Sequence, residues 1–328
     1  MEQLDPTRTS TTPWARLLVR RSLQLVALGL LIGTVCFFMV RALPGDMAMR
    51  IAAGRYGYDL VSNAAADAVR QELGLHLAWW HGLGAWWLDI LRFDLGTSLV
   101  SGEPIAAELA HQLGATLELS AASVAIALLL GLPLGMASAL RPGGWVDRLT
   151  LVAAVVLRAT PPFLLAVVLM LVFAIYWGAL PVAGHSEDGS LWLPALTLGL
   201  GLAGGLCRVV CSALREVMQS PACEFARTKG LGDVHTLLRH GLRQASLPVL
   251  AYLGVQTVLL VEGAVVVETL FAWPGIGHAL VHAVFGRDVP MIQGAALCMG
   301  MLFVVFNALL DAASLWLDPR ARWEARHG

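Results

Sequence analysis

Charge is what this chain has least of. Asp, Glu, Lys and Arg make up 14% of its 328 residues, where a soluble domain carries about 25%. Lysine is almost missing, since Lys229 is the only one. A phosphate-binding loop needs G-x-x-x-x-G-K-[ST]; Lys229 precedes Gly230 instead of following a glycine. The chain is therefore expected to carry no ATP site, to bind no cofactor and to be no enzyme by itself. A net charge of −1 gives no basic field for nucleic acid. Cysteine is sparse: Cys36, Cys207, Cys211, Cys223 and Cys298 form no disulfide framework. Cys207 and Cys211 stand at i, i+4 in an apolar run with no His or further Cys nearby in sequence, so they read as packing residues. No Ser/His pair or His–carboxylate cluster at one depth is visible, which argues against a membrane enzyme.

What the chain has is apolar length: 57% of it is hydrophobic and its mean hydropathy is +0.70. Crossing a bilayer as a helix takes roughly 20 apolar residues, and only closed backbone structures survive there. The fold class expected is an all-α polytopic membrane protein with spans at 22–40, 116–140, 149–177, 193–214, 249–269 and 290–317. This divides the chain into a cytoplasmic segment 1–21, a first transmembrane helix within 22–42, a long extracytoplasmic loop 43–113, a core 114–318 with five spans, and a tail 319–328. The apolar stretch of the first span is too long for a signal peptide, and no small-residue cleavage site follows it.

Basic residues set the orientation. They cluster before the first span, between spans two and three (Arg141, Arg148), between four and five (Arg208, Arg215, Arg227, Lys229, Arg239, Arg243), and after the sixth. The short loop at 180–192 has none, and 271–289 has only Arg287. Both termini are expected in the cytoplasm. Trp14, Trp145, Trp177, Trp192, Trp273, Trp316 and Trp323 fall near span ends, like an interfacial belt. Trp79, Trp80, Trp86 and Trp87 predict a helix lying in the outer interface.

The loop 215–248 holds the densest signal. Pro221 is expected to end the preceding helix, Gly230 and Gly232 permit a sharp approach, and Asp233 is a good N-cap. Val234, Leu237, Leu238 and Gly241 then fall on one face of a short helix. Such a helix outside the bilayer needs cover for its apolar face, either a protein groove or lipid headgroups.

The spacing Glu224, Ala226, Gly230 resembles the docking loop of ABC-importer permeases. The likeness runs along the chain. Arg41-Ala42-Leu43-Pro44-Gly45-Asp46, Glu72-Leu73-Gly74-Leu75, Asp94-Leu95-Gly96-Thr97-Ser98 and Ala115-Thr116-Leu117-Glu118-Leu119 resemble segments of dipeptide, oligopeptide and nickel permeases. So do Glu268-Thr269-Leu270-Phe271-Ala272-Trp273-Pro274-Gly275-Ile276-Gly277 and Leu317-Asp318-Pro319-Arg320. Glu224 departs from the peptide-permease form of the loop, and Gly114 replaces its usual proline before Ala115.

The resemblance implies a type I importer permease of a bacterial inner membrane, passing di- or oligopeptides or a nickel or metal chelate. It implies docking through Glu224, Ala226, Gly230, Asp233, Val234, Leu237 and Leu238. It also implies two cytoplasmic ATPase subunits holding ATP and Mg, a homologous second permease, and an extracytoplasmic substrate-binding protein. Ionisable residues inside spans are functional candidates, which singles out Glu262 and Arg158 for the pathway. His278 and His282, at i, i+4, are a weak metal pair that lacks a third ligand nearby. The competing reading is an ion-coupled secondary transporter or channel, which would need more acidic residues within spans.

Overall fold

The computed structural model describes residues 13–317 except 43–45, 47, 50–51, 54–61, 73–78, 93, 185–188, 231, 233–234, 236–240 and 287. Asp233, Val234, Leu237 and Leu238 lie outside the described residues, as do the side chains of Ala226 and Glu262. The fold is all-α, and among the described residues the extended pairing is one isolated bridge, Thr97 to Pro104.

The helices are α1 (Pro13–Ala42), α2 (Asn63–Glu72), α3 (Trp79–Leu91), α4 (Ile105–Leu140), α5 (Trp145–Ala159) and α6 (Pro162–Leu169). A π-helical segment, Met170–Tyr176, continues α6. Then come α7 (Trp192–Met218), α8 (Pro221–Thr228), α9 (Leu242–Leu270), α10 (Ile276–Gly286) and α11 (Val289–Leu317). Among the described residues, four stretches are long and apolar enough to cross a membrane: Leu18–Met39, Ile105–Leu140, Trp192–Met218 and Val289–Trp316. Helix α9 has 29 residues, about 43 Å at the α-helical rise, against an apolar bilayer core of about 30 Å.

Helices α1 and α9 begin before the predicted spans at 22 and 249, and two differences are larger. Helix α4 starts 11 residues before the predicted span at 116, so it stands about 54 Å long over its 36 residues. Its first turns carry Glu108, His111 and Gln112, which are too polar for a hydropathy window to include. The predicted span at 149–177 is not one rod. It breaks after Ala159, and the two halves meet at 109°. The cause is local: Pro161 and Pro162 supply no N–H to a helix, and a residue before proline is driven out of the α region. Thr160 accordingly sits at φ −86°, ψ 121°.

The core lies where α4, α7 and α9 meet. Helix α4 rides close on α7 because glycines remove side chains at the crossing. A Cβ at Gly135 would stand 2.8 Å from the carbonyl oxygen of Cys207, and one at Gly199 would stand 3.0 Å from that of Ser123. The Gly131/Gly135 pair is thus a packing device. The Gly201/Gly205 pair is divided: Gly205 abuts the Tyr252 hydroxyl, while Gly201 faces open space.

Helix α1 is tied to α11 at one end by Arg21, whose Nε donates to Asp311 Oδ2 at 3.1 Å. Helix α3 leans on both. Trp86 lies over Gly33, where no side chain fits, and its Nε1 donates to Gln293 Oε1 at 2.7 Å. Trp87 Nε1 donates to Thr34 Oγ1 at 3.2 Å. Trp79 and Trp80 remain exposed. The four tryptophans therefore split, with Trp86 and Trp87 bonded to the bundle and the other two on the surface.

Candidate translocation and docking sites

At one end of the bundle the segment after α9 folds around a carboxylate. Glu268 is fully buried. Its Oε1 accepts from Thr116 Oγ1 at 2.8 Å, and its Oε2 accepts from the backbone N–H of Gly277 at 2.7 Å and of His278 at 3.2 Å. Those amides open α10, which has no earlier turn to satisfy them. Thr116 accepts in turn from the N–H of Ile276 at 2.9 Å, and Trp273 Nε1 donates to the carbonyl of Ala115 at 2.9 Å. The 115–119 and 268–277 segments are thus one lock joining α4, α9 and α10. A Cβ at Gly275 would collide with the Glu268 carboxylate. Glu268 is structural, and Glu118, exposed on α4, takes no part in the lock.

Halfway along, the break between α5 and α6 opens a cavity of about 490 Å³ against α7 and α9. Arg158, one residue before the end of α5, lines it, and so does Gln256 of α9. Gln256 turns to the same space as Arg158. The signal that marks this place in the sequence is the Pro161-Pro162 pair.

At the other end Asp147, in the first turn of α5, holds α7. It accepts from Arg208 Nη1 at 2.9 Å, from Arg215 Nη2 at 2.7 Å, and from the N–H of Gly143 at 2.9 Å. Arg215 also donates to the carbonyl of Ser138 on α4 at 2.9 Å. Asp147 and Arg215 together so tie three helices just before α7 ends at Met218. Nothing in the local sequence marks Asp147, because its partners are 61 and 68 residues away.

The candidate docking segment begins there. Pro221 opens the short helix α8, as proline at a first helical position can. Glu224 therefore sits on a helix and is exposed, and Ala226 follows in the same helix. This helix was not anticipated: Pro221 was expected only to end α7. Lys229 Nζ lies 4.5 Å from the Phe225 ring centroid, and Gly230 has φ +80°, a region that disfavours side chains. The rings of His278 and His282 are 4.4 Å apart, but among the described residues no group of three or more His, Cys, Asp or Glu is gathered to hold a metal ion.

Residues 131–323 match the family model described as binding-protein-dependent transport system inner membrane component. The chain is 36% identical to a glutathione transport system permease protein of Pectobacterium atrosepticum over 93% of its own length and 98% of the relative's. It is 34% identical to the protein of that name from Salmonella typhimurium, with the same coverage. It is also 34% identical to a putative peptide transport system permease protein of Brucella abortus, covering 94% and 99%. Among solved structures, a chain of the MetNI methionine ABC transporter, in inward-facing conformations, superposes with a TM-score of 0.56 at 18% identity. That match covers 66% of this chain and 99% of the other, and it shows a shared fold. The long apolar helices, the broken span and the segment leading out of the clamped α7 are thus those of an inner-membrane ABC-importer permease, and the chain belongs to the peptide group of that family.

Proposed function

We propose that this chain forms half of a pathway that imports small peptides across a bacterial cytoplasmic membrane, driven by two ATPase subunits that hold ATP and Mg. A homologous second permease supplies the other half, and an extracytoplasmic binding protein delivers the solute. Both termini and the loop 215–248 face the cytoplasm, and α9 completes a set of six spans. The ATPase docks on Glu224, Ala226, Gly230, Asp233, Val234, Leu237 and Leu238. The names of the relatives support a peptide cargo.

The observation that carries the coupling reading is the Asp147 clamp. It makes the end of α7 rigid with α4 and α5, directly before the exposed α8. A push on α8 then moves three helices as one body, which is how rigid-body switching works. Arg158, which lines the cavity at the helix break, is the pathway residue, with Glu262 the second candidate on α9. The test is Gly230→Asp in the reconstituted complex. ATP hydrolysis should persist while uptake falls at least tenfold, since a strained αL residue of roughly 1 kcal/mol and a new charge both alter the docking surface. Uptake at the wild-type rate would refute docking here.

A further inference from the structure

We infer that Arg158 anchors the carboxylate of the transported solute, so that the pathway through this chain selects solutes carrying a free carboxylate. This deepens the peptide-import reading above and rests on it.

The cavity at the helix break has few groups able to hold a polar solute. Pro161 and Pro162 have no N–H, so the start of α6 has fewer of the amide donors with which helix N-termini usually hold anions. The hydroxyls of Thr160 and Thr197 are committed to their own helices, donating to the carbonyls of Val156 and Leu193, both at 2.8 Å. The donors that remain are the guanidinium of Arg158 and the amide of Gln256. Among the described residues neither has a hydrogen-bond or ion-pair partner. A guanidinium is tolerated at this place because the last turn of a helix favours a cation, yet that leaves its fork of N–H groups open to a carboxylate.

The charge is also placed on a route. A second cavity, of about 550 Å³, is lined by Arg158, Ala159, Gln256, Tyr252 and Arg208. Arg158 and Gln256 line both spaces, and Arg208, held in the clamp by Asp147, lines the second. Among the described lining residues the charged groups of both cavities are arginines. An anion moving along α7 so meets one open cation, Arg158, because Arg208 is already paired with Asp147. A volume near 490 Å³ holds a compact peptide.

The test uses the whole complex in proteoliposomes, with ATP inside, and one labelled tripeptide offered as its free acid and as its C-terminal amide, each at a concentration that saturates the binding protein. Arg158→Gln should lower uptake of the free acid about ten- to a hundredfold, the effect of losing a charge-assisted hydrogen bond, and should leave the amide unchanged. Arg158→Lys should lose only severalfold, again for the free acid alone. Binding-protein-stimulated ATP hydrolysis checks that each variant is assembled. If Arg158→Gln does not assemble, the Arg158→Lys comparison decides. Equal loss for acid and amide, or no loss for either, overturns the inference and leaves the importer reading standing. Failure of the wild-type complex to carry either peptide overturns the peptide reading and this inference with it.

Discussion

Glu268 offers the sharpest energetic prediction. Its carboxylate is fully buried and accepts three hydrogen bonds, from the Thr116 hydroxyl and from the first amides of α10. Glu268→Ala deletes the acceptor and leaves two amides and a hydroxyl without partners. Each orphaned buried group costs about 1–3 kcal/mol, and the void adds to it, so a total loss of about 4–6 kcal/mol is expected. Glu268→Gln is different. Its carbonyl can accept the two amides, and its NH₂ can donate to the second lone pair of Thr116 Oγ1, whose first lone pair takes the N–H of Ile276. The charge assistance and the acceptor for the Thr116 O–H are lost, about 2–3 kcal/mol. Denaturant unfolding of the protein in lipid nanodiscs, followed by Trp273 fluorescence in a background lacking the other tryptophans near spans, measures both. The order wild type, Gln, Ala is required. An Ala variant as stable as the Gln variant would refute the lock.

Further outcomes follow from the packing and from the clamp. Gly135→Val should destabilise the chain by about 1–3 kcal/mol, because its Cβ would press on Val210 and on the Cys207 carbonyl; the same unfolding assay reads it. Asp147→Ala should leave Arg208 and Arg215 without their shared carboxylate, lower the melting temperature, and reduce uptake more than ATP hydrolysis. Equal reduction of both would mean that the clamp only stabilises. Trp86→Phe should release α3 from Gln293, seen as faster amide exchange across 79–91 at a cost of about 1 kcal/mol. Burial, and then His282, hold the His278 imidazole below its ordinary value. A depressed value means that its contribution is complete above about pH 6.5 and fades as pH falls through the lowered value. Stability should therefore drop on acidification below about pH 6.5, and His278→Gln should flatten that slope.

Much of this architecture was legible because bilayer physics writes it in the sequence. Long apolar runs bounded by arginine and tryptophan located the main helices. The candidate docking segment was marked at Glu224 and Gly230 by motif spacing, and its docking role is a proposal. Its first helix, Pro221–Thr228, was missed because proline was read as a stop when it serves equally as a start. Hydropathy hid the break after Ala159: averaging over 149–177 drowned two prolines in apolar neighbours. The Asp147 clamp and the Glu268 lock were illegible for another reason. Each joins groups far apart in the chain, and a single carboxylate carries no local mark of the partners that will find it.

The most direct test of the central account is affinity purification of this chain from its native membrane, with mass spectrometry of the proteins that accompany it and ATP-dependent uptake measured after reconstitution. The account predicts recovery with ATPase subunits and a second permease, and uptake that requires ATP and the binding protein. Recovery of the chain alone, transporting in liposomes without ATP, would contradict it and favour an ion-coupled transporter.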